Sequence, residues 1–201
     1  MKKAKQLAEK NVQLYAPLLH DDMPLIGLEP SGILSFRDEY KELVDNHLKE
    51  KANFIAQHAF LIDEFIADEF AAGNIHSEQF TDKKQQILFH AHCYQKALSN
   101  PKKSIDIMQI PANYQVTEIK DSCCGMAGAF GYEKEHYDFS MKVANVTLFP
   151  TIEKASDDTI IAATGTSCRH QIHDGLHRNA KHPVEILWDA LRPELKILIS
   201  H

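Results

Sequence analysis

Four cysteines, Cys93, Cys123, Cys124 and Cys168, are the residues of this 201-residue sequence best suited to chemistry. Their thiolates are soft ligands that select iron–sulfur clusters or zinc over magnesium or calcium. Two of them are adjacent and followed by glycine, in Asp121–Ser122–Cys123–Cys124–Gly125, and small residues continue to Gly131. Such a stretch lets backbone N–H groups approach a cluster or an anion, although glycine equally serves an ordinary turn. Lys96 and Arg169 stand near the thiols in sequence as cations that favour the thiolate. His90, His92, His170, His173 and His177 surround them, and His92, directly before Cys93, is the preferred functional histidine, able to tune thiolates or shuttle protons. His170, His173 and His177 share one helical face, with surface exposure expected for the last two. Four inert buried thiols are the plain alternative. A disulfide between Cys123 and Cys124 ranks last, because it closes a strained ring.

Each cysteine follows a short apolar run and precedes a helical or glycine-containing segment. Gln86–Phe89 runs into Cys93, Tyr114–Ile119 into Cys123–Cys124, and Thr159–Ala163 into Cys168. Pro24–Leu28 is a further strand-like run, expected to be buried and followed by a helix from about Ile33. Helices are expected over Met1–Leu19, with Leu7, Val12, Leu14, Leu18 and Leu19 on one face, and over His47–Phe70 as one or two segments. A helical pattern from Glu133 to Ala155 is expected to break at Pro150, and Arg169–Asn179 and Val184–Leu191 close the chain. Strands alternating with helices predict an α/β fold, with parallel sheets flanked by helices. In such sheets the loops at the carboxyl ends of the strands share one edge, so three loops bearing four thiols are expected to meet there.

Composition narrows the class of partner. With 44% hydrophobic and 25% charged residues the sequence is that of a folded globular protein. Its net charge of -6, with 22 basic residues dispersed among 28 acidic ones, argues against nucleic acid. No apolar run approaches the length of a membrane-spanning helix and no apolar signal core opens the sequence, so a soluble, cytoplasmic module is expected. Four cysteines are too few for a secreted disulfide scaffold, which leaves metal or redox chemistry.

The displacement that lays Pro24–Leu28 on Ile160–Thr164 also lays Ser31 on Ser167 and Gly32 on Cys168. Two copies of one helix–strand–turn unit are therefore expected. Carried backward, the same displacement puts the partner of Cys123–Cys124 before residue 1. The sequence is expected to begin inside a first repeat, as a piece of a longer protein. The divisions that follow are residues 1–46 as the end of a first, truncated repeat, 47–84 as a helical connection, and 85–201 as a complete second repeat.

HAHCYQKAL at 90–98, DSCCGMAGAFGYEKEHYDFSMKVAN at 121–145, GTSCRHQIHDG at 165–175 and HPVEILWDAL at 182–191 closely resemble the C-terminal part of FAD-linked oxidases. These are the D-lactate, glycolate and 2-hydroxyglutarate dehydrogenase-like proteins with paired cysteine-rich CCG domains, related to the B subunit of heterodisulfide reductase. PLIGLEPSGILSFRDEY at 24–40 resembles the end of the first such domain. The resemblance implies an electron-transfer module of a larger FAD and iron–sulfur oxidoreductase acting on a 2-hydroxy acid such as D-lactate. It implies Cys93, Cys123, Cys124 and Cys168 as ligands of an iron–sulfur cluster of the [4Fe–4S] kind, with zinc as the alternative. His92, Gly125, Lys96 and Arg169 would surround that group. FAD would sit only on an upstream domain, and the implied partners are upstream flavin and ferredoxin-like domains and a quinone or other electron carrier. Those partners could hold the module at the inner membrane. A zinc-binding or metal-free docking module of the same complex is the competing expectation. Two departures are visible: Gly32 stands where the first repeat of the family usually has cysteine, and Cys168 lacks the CxxC partner of the reductase pattern.

Overall fold

The structure is a computed structural model describing residues 1–199; the last two residues of the 85–201 segment lie outside the described residues. Helix α1 (Lys2–Tyr15) leads to strand β1 (Leu25–Gly27), the short helix α2 (Pro30–Ile33), a 3-10 turn and helix α3 (Glu39–Leu43). Helix α4 (Lys49–His58), strand β2 (Ala59–Leu61) and helix α5 (Ile62–Ala71) follow. Then come β3 (Gln85–His90), α6 (Cys93–Leu98), α7 (Lys102–Met108), β4 (Tyr114–Glu118), α8 (Tyr137–Glu153) and β5 (Ile160–Ala163). Helix α9 (Thr166–Leu176), strand β6 (Ala180–Lys181), α10 (Pro183–Ala190) and α11 (Pro193–Ile199) complete the order. The α/β expectation is borne out. β1 and β2 form a parallel pair, and β4-β3-β5-β6 form a four-stranded sheet in which every pairing is parallel.

The four-stranded sheet is covered on both faces. Ile87, Phe89, Ile107, Met108 and Ile186 are buried together, and Ile119, Leu148, Ile152, Ile161 and Ile172 form a second cluster against α8 and α9. Strand alternation divides β3 between them, with Ile87 and Phe89 in the first cluster and Leu88 packed on the second. A third cluster holds α1, α4 and the two-stranded pair together through Ala8, Val12, Leu34, Ile55 and Leu61. No described helix is long and apolar enough to cross a membrane.

Several elements differ from the sequence expectation, each for a local reason. Helix α1 buries Ala8 and Val12, whereas Leu7, Leu14 and Leu18 are more than half exposed. Small Ala8 lets the helix approach its neighbours closely, so the stripe one residue away from the leucines faces the core. Strand β1 is only half-buried, with Ile26 at the surface, because it pairs with β2 alone. Its Gly27 is required by packing, since a Cβ there would lie 2.5 Å from Ile33 Cβ. The helix after β1 starts at Pro30, with proline at its first position, and not at Ile33. The 47–70 region is two helices separated by strand β2, whose three residues sit inside a helical hydrophobic period and gain their conformation from pairing with distant β1. Pro150 does not break α8. The lost bond is to the carbonyl of Val146, on the exposed side of the helix, and Thr151 Oγ1 donates to Thr147 O at 2.7 Å just beyond it.

Two polar networks tie these layers to the loops that carry the cysteines. Arg37 donates to both carboxylate oxygens of Glu64, at 2.9 and 2.6 Å, and to the carbonyls of Ala59 and Leu98. Glu64 also accepts from Leu61 N and Ser99 Oγ, so one half-buried carboxylate caps α5 and holds the end of α6. Beneath the same helices runs a buried chain. Thr164 Oγ1 donates to Gln95 Oε1 at 3.1 Å, Gln95 Nε2 to Ser104 Oγ at 2.6 Å, and Ser104 to Asp63. Asp63 is 1% exposed, and its second oxygen has no hydrogen-bond partner. Burial pushes its carboxyl up to about 6, against the lowering effect of the Ser104 hydrogen bond.

Candidate metal centre

All four cysteines converge at the carboxyl edge of the four-stranded sheet, as expected of such folds. Cys93 is the first residue of α6, directly after β3, and Cys168 lies in the first turn of α9, after β5. Cys123 and Cys124 sit in the loop after β4. Cys168 Sγ and Cys124 Sγ are 3.2 Å apart and both are buried. Cys93 and Cys123 are hydrogen-bonded to each other through their side chains and are exposed. The site therefore has a dry pair and a wet pair.

Within each pair the two thiols are driven in opposite directions. The hydrogen bond with Cys168 holds the Cys124 thiol down at about 4, despite its burial, with His90 and the Met126 N–H assisting. Cys168 is correspondingly raised by the hydrogen bond with Cys124 and by burial. The bond from Cys93 and the Gly125 N–H lower Cys123 to about 6, whereas Cys93 is raised by its bond to Cys123. Four thiols in two hydrogen-bonded pairs, with Cys123 and Cys124 the members driven toward the thiolate, are a donor set suited to a soft metal.

The glycine after the two cysteines is demanded twice. Gly125 has φ +81°, and a Cβ there would lie 2.2 Å from the backbone oxygen of Ser140. Only glycine lets the loop press on α8 and turn its N–H onto Cys123 Sγ at 3.3 Å.

Of the surrounding residues singled out in the sequence, Lys96 donates from Nζ to Ser122 O at 2.9 Å and lowers Cys93, a smaller effect than the raising causes. Arg169 turns to the backbone, donating to Ala163 O and Thr164 O at 2.9 and 2.8 Å, so it fixes the β5–α9 turn and does not bond a thiolate. His92 Nδ1 accepts from Tyr94 N at 3.2 Å and caps α6, and its ring packs on Gly165, where a Cβ would lie 2.4 Å from His92 Cδ2. Burial lowers its basicity, and the nearby Glu29 carboxylate counters this. Glu29 itself accepts from Thr166 N at 2.8 Å and from Ser31 Oγ at 3.0 Å, so the β1–α2 loop caps the helix that carries Cys168. His173 is exposed, and His170 Nδ1 meets Tyr132 Oη at 2.8 Å at the surface. His177 ends α9 in a left-handed conformation at φ 53°.

The histidine set against the sulfurs is His90. It is fully buried, and one of its ring nitrogens lies within 4.8 Å of Cys124 Sγ and Cys168 Sγ, which are equally close to each other. Proximity of His92 to Cys93 in sequence obscured this. The available signal was strand alternation, which puts His90 on the Leu88 face of β3, the face against Cys124 and Cys168.

A cavity of about 720 Å³ opens on the exposed side of the centre, lined by Glu29, Ser31, His92, Tyr94, Tyr132, Thr166 and the sulfur-bearing loops. Gly32, beside it in sequence, borders open space, since a Cβ there would meet nothing nearer than Glu29 Cβ at 4.0 Å.

A parallel α/β fold with four thiols at its strand ends is the arrangement that the CCG resemblance implies, and sequence comparison bears that resemblance out. D-2-hydroxyglutarate dehydrogenase of Haemophilus influenzae is 26% identical over 198 residues, covering 96% of this chain and 18% of the relative. The enzyme of the same name from Escherichia coli is 25% identical over 173 residues, 85% of this chain and 16% of the relative. A subunit of the anaerobic glycerol-3-phosphate dehydrogenase of Escherichia coli is 23% identical over 169 residues, 84% of this chain and 41% of the relative. The chain thus spans less than half the length of these relatives, and it is an oxidoreductase-related module homologous to one part of each. No family model matches, and no solved structure matches.

Proposed function

We propose that this chain is the cysteine-rich electron-transfer module of a larger FAD and iron–sulfur oxidoreductase whose substrate is a 2-hydroxy acid, of the D-lactate or D-2-hydroxyglutarate type. The observation that carries the reading is the meeting of Cys93, Cys123, Cys124 and Cys168 at one sheet edge, as a buried pair and an exposed pair of which the second opens on a cavity. Their donor chemistry suits an iron–sulfur group, which when bound supplies one-electron chemistry. The chain's own part is to hold the thiolates, exclude water from the Cys124–Cys168 side and leave the Cys93–Cys123 side open to a partner. Upstream flavin and ferredoxin-like domains would deliver electrons, and a quinone or other carrier would remove them, with the complex cytoplasmic and held at the inner membrane through those partners.

Anaerobic reconstitution with iron and sulfide, followed by metal analysis and visible absorption, tests this. The expected product is a brown, redox-active species that is lost or shifted in potential on Cys124→Ser, because an alcohol is a harder, poorer ligand than a thiolate. Protein that takes up no iron and sulfide, or takes them up equally with all four cysteines replaced, would return the module to a docking role.

A further inference from the structure

Helix α8 is apolar on two faces. Ala144, Leu148 and Ile152 are buried in the cluster that α8 and α9 share with the four-stranded sheet. The other face carries Phe139, Val143, Val146 and Pro150, at successive spacings of four, three and four residues, which is one continuous stripe along a helix. Phe139 is 61% and Val146 78% exposed, and Val143 and Pro150 are half-buried beside them. Phe139 is already held in place, edge-on to Phe130 with ring centroids 6.1 Å apart. A helix apolar all round is one that neighbours cover all round, because apolar surface left in water is unfavourable. Among the described residues only the inner face is covered.

The charges beside the stripe indicate what covers it. Lys142 and Glu153 are both exposed and lie on the same flank, since both line the groove between α8 and α9. When two copies of one helix pack antiparallel about a twofold axis, each flank faces the same flank of the other copy, run in reverse. The Lys142 end of one helix then meets the Glu153 end of the other, and the symmetry makes this contact twice. A parallel pair sets this flank against the opposite one and gains neither contact. With Lys142 against Glu153 of the second copy, the helices cross between Val146 and Pro150, whose side chains interdigitate there, while Val143 and Phe139 extend the contact outward. Packed helices stand about 8–10 Å apart, a gap that the long Lys and Glu side chains span.

We propose that the outer face of α8 is a self-association surface, on which two copies of this chain pair antiparallel about a twofold axis, with Phe139, Val143, Val146 and Pro150 as the apolar seam and Lys142–Glu153 as reciprocal ion pairs. A helix of 17 residues is about 25 Å long, so one such pair is a small interface. Contacts of that size give weak, reversible association. The pairing uses no sulfur and does not rest on the electron-transfer reading.

The test is sedimentation velocity with light scattering on the full chain, in reductant and chelator so that exposed thiols neither cross-link copies nor share metal between them. From about 5 to 500 μM, a range suited to a small interface, the average mass is expected to climb from one chain toward two. Val146→Glu alters an exposed side chain, so its urea unfolding at the lowest concentration should match wild type, while association weakens by about tenfold or more. Lys142→Glu should weaken association about two- to tenfold, and combining it with Glu153→Lys should restore it, as expected of two exposed ion pairs. Wild type that remains a single chain up to about 500 μM overturns the proposal and leaves the face to a different protein. A dimer that Val146→Glu does not weaken overturns the choice of surface. A Lys142→Glu defect that the double variant does not repair overturns the antiparallel arrangement.

Discussion

Asp63 gives the structure a pH dependence of predictable sign. Its carboxyl lies at 3.8 in an unfolded chain and about 6 in the folded one, chiefly because burial disfavours the charge. The folded state therefore binds more protons than the unfolded state between these two values. Stability contributed by the neutral acid is fully present below about pH 4 and is lost as pH rises through about 6, the reverse of a salt-bridged carboxylate. The displacement corresponds to about 3 kcal/mol at neutral pH. Asp63→Asn cannot ionise, and its carbonyl oxygen can still accept from Ser104, so the buried chain to Gln95 and Thr164 keeps an acceptor at its end. The amide places new donors near the unpartnered oxygen, which shifts the variant's stability by an amount independent of pH. Urea unfolding of both proteins from about pH 4 to pH 8, in chelator, isolates the titration as the difference between the two curves. Wild type should lose about 2.5 kcal/mol relative to the variant across that range, in the window between about pH 4 and 7. A difference that stays flat, or that moves in wild type's favour as pH rises, would refute the argument that this carboxyl is folded in dry.

Two further substitutions probe the supports of the centre. Gly125→Ala drives a Cβ onto the Ser140 carbonyl at a positive φ, so a loss of at least 1–3 kcal/mol in denaturant unfolding is expected, with metal uptake by Cys123 and Cys124 impaired in whatever fraction folds. Wild-type stability in that variant would show that the loop can leave α8 freely. Arg37→Ala strands the Glu64 carboxylate in a half-buried position and removes two bonds to Ala59 O, and a loss of about 3–5 kcal/mol is expected in the same assay. A loss under 1 kcal/mol would mean that water replaces the guanidinium there.

Chemistry was legible in the sequence where residue type and turn signal coincided. The three strand runs ending at Cys93, Cys123 and Cys168 are the strands β3, β4 and β5, found within about a residue, because each is an apolar run closed by polar or glycine-rich chemistry. Parallel topology followed from alternation of strand and helix. What stayed hidden depends on partners distant in sequence. β2 is recognisable only beside β1, and β6, two residues long, only beside β5. The pairing of thiols into Cys93–Cys123 and Cys124–Cys168 has no sequence signal, since it depends on how the β4 loop lies between α6 and α9. The role of His90 is hidden for the same reason, and its neighbour His92 drew attention through adjacency to Cys93 while its side chain caps a helix. Arg169 shows that a cation close in sequence to a thiol can be occupied by carbonyls and a hydroxyl of its own turn.

The way the β1–α2 loop reaches the far sheet bears on how this chain can be dissected. Glu29 accepts from the first N–H of α9, and His182 Nε2 donates to Leu28 O at 3.2 Å, so two bonds join that loop to the four-stranded sheet's own loops. Arg37 reaches Leu98 O, and Asp63 holds Ser104. Lines drawn after residues 46 and 84 mark changes of pattern in the sequence, yet these bonds stitch across them. A recombinant piece starting at residue 85 would leave the helix of Cys168 uncapped, open one wall of the cavity and bare the Gln95–Ser104 pair. The smallest portable unit for grafting or separate expression is therefore the pair of sheets together, and a ligand-bearing loop moved without the opposite loop would arrive without half of its support.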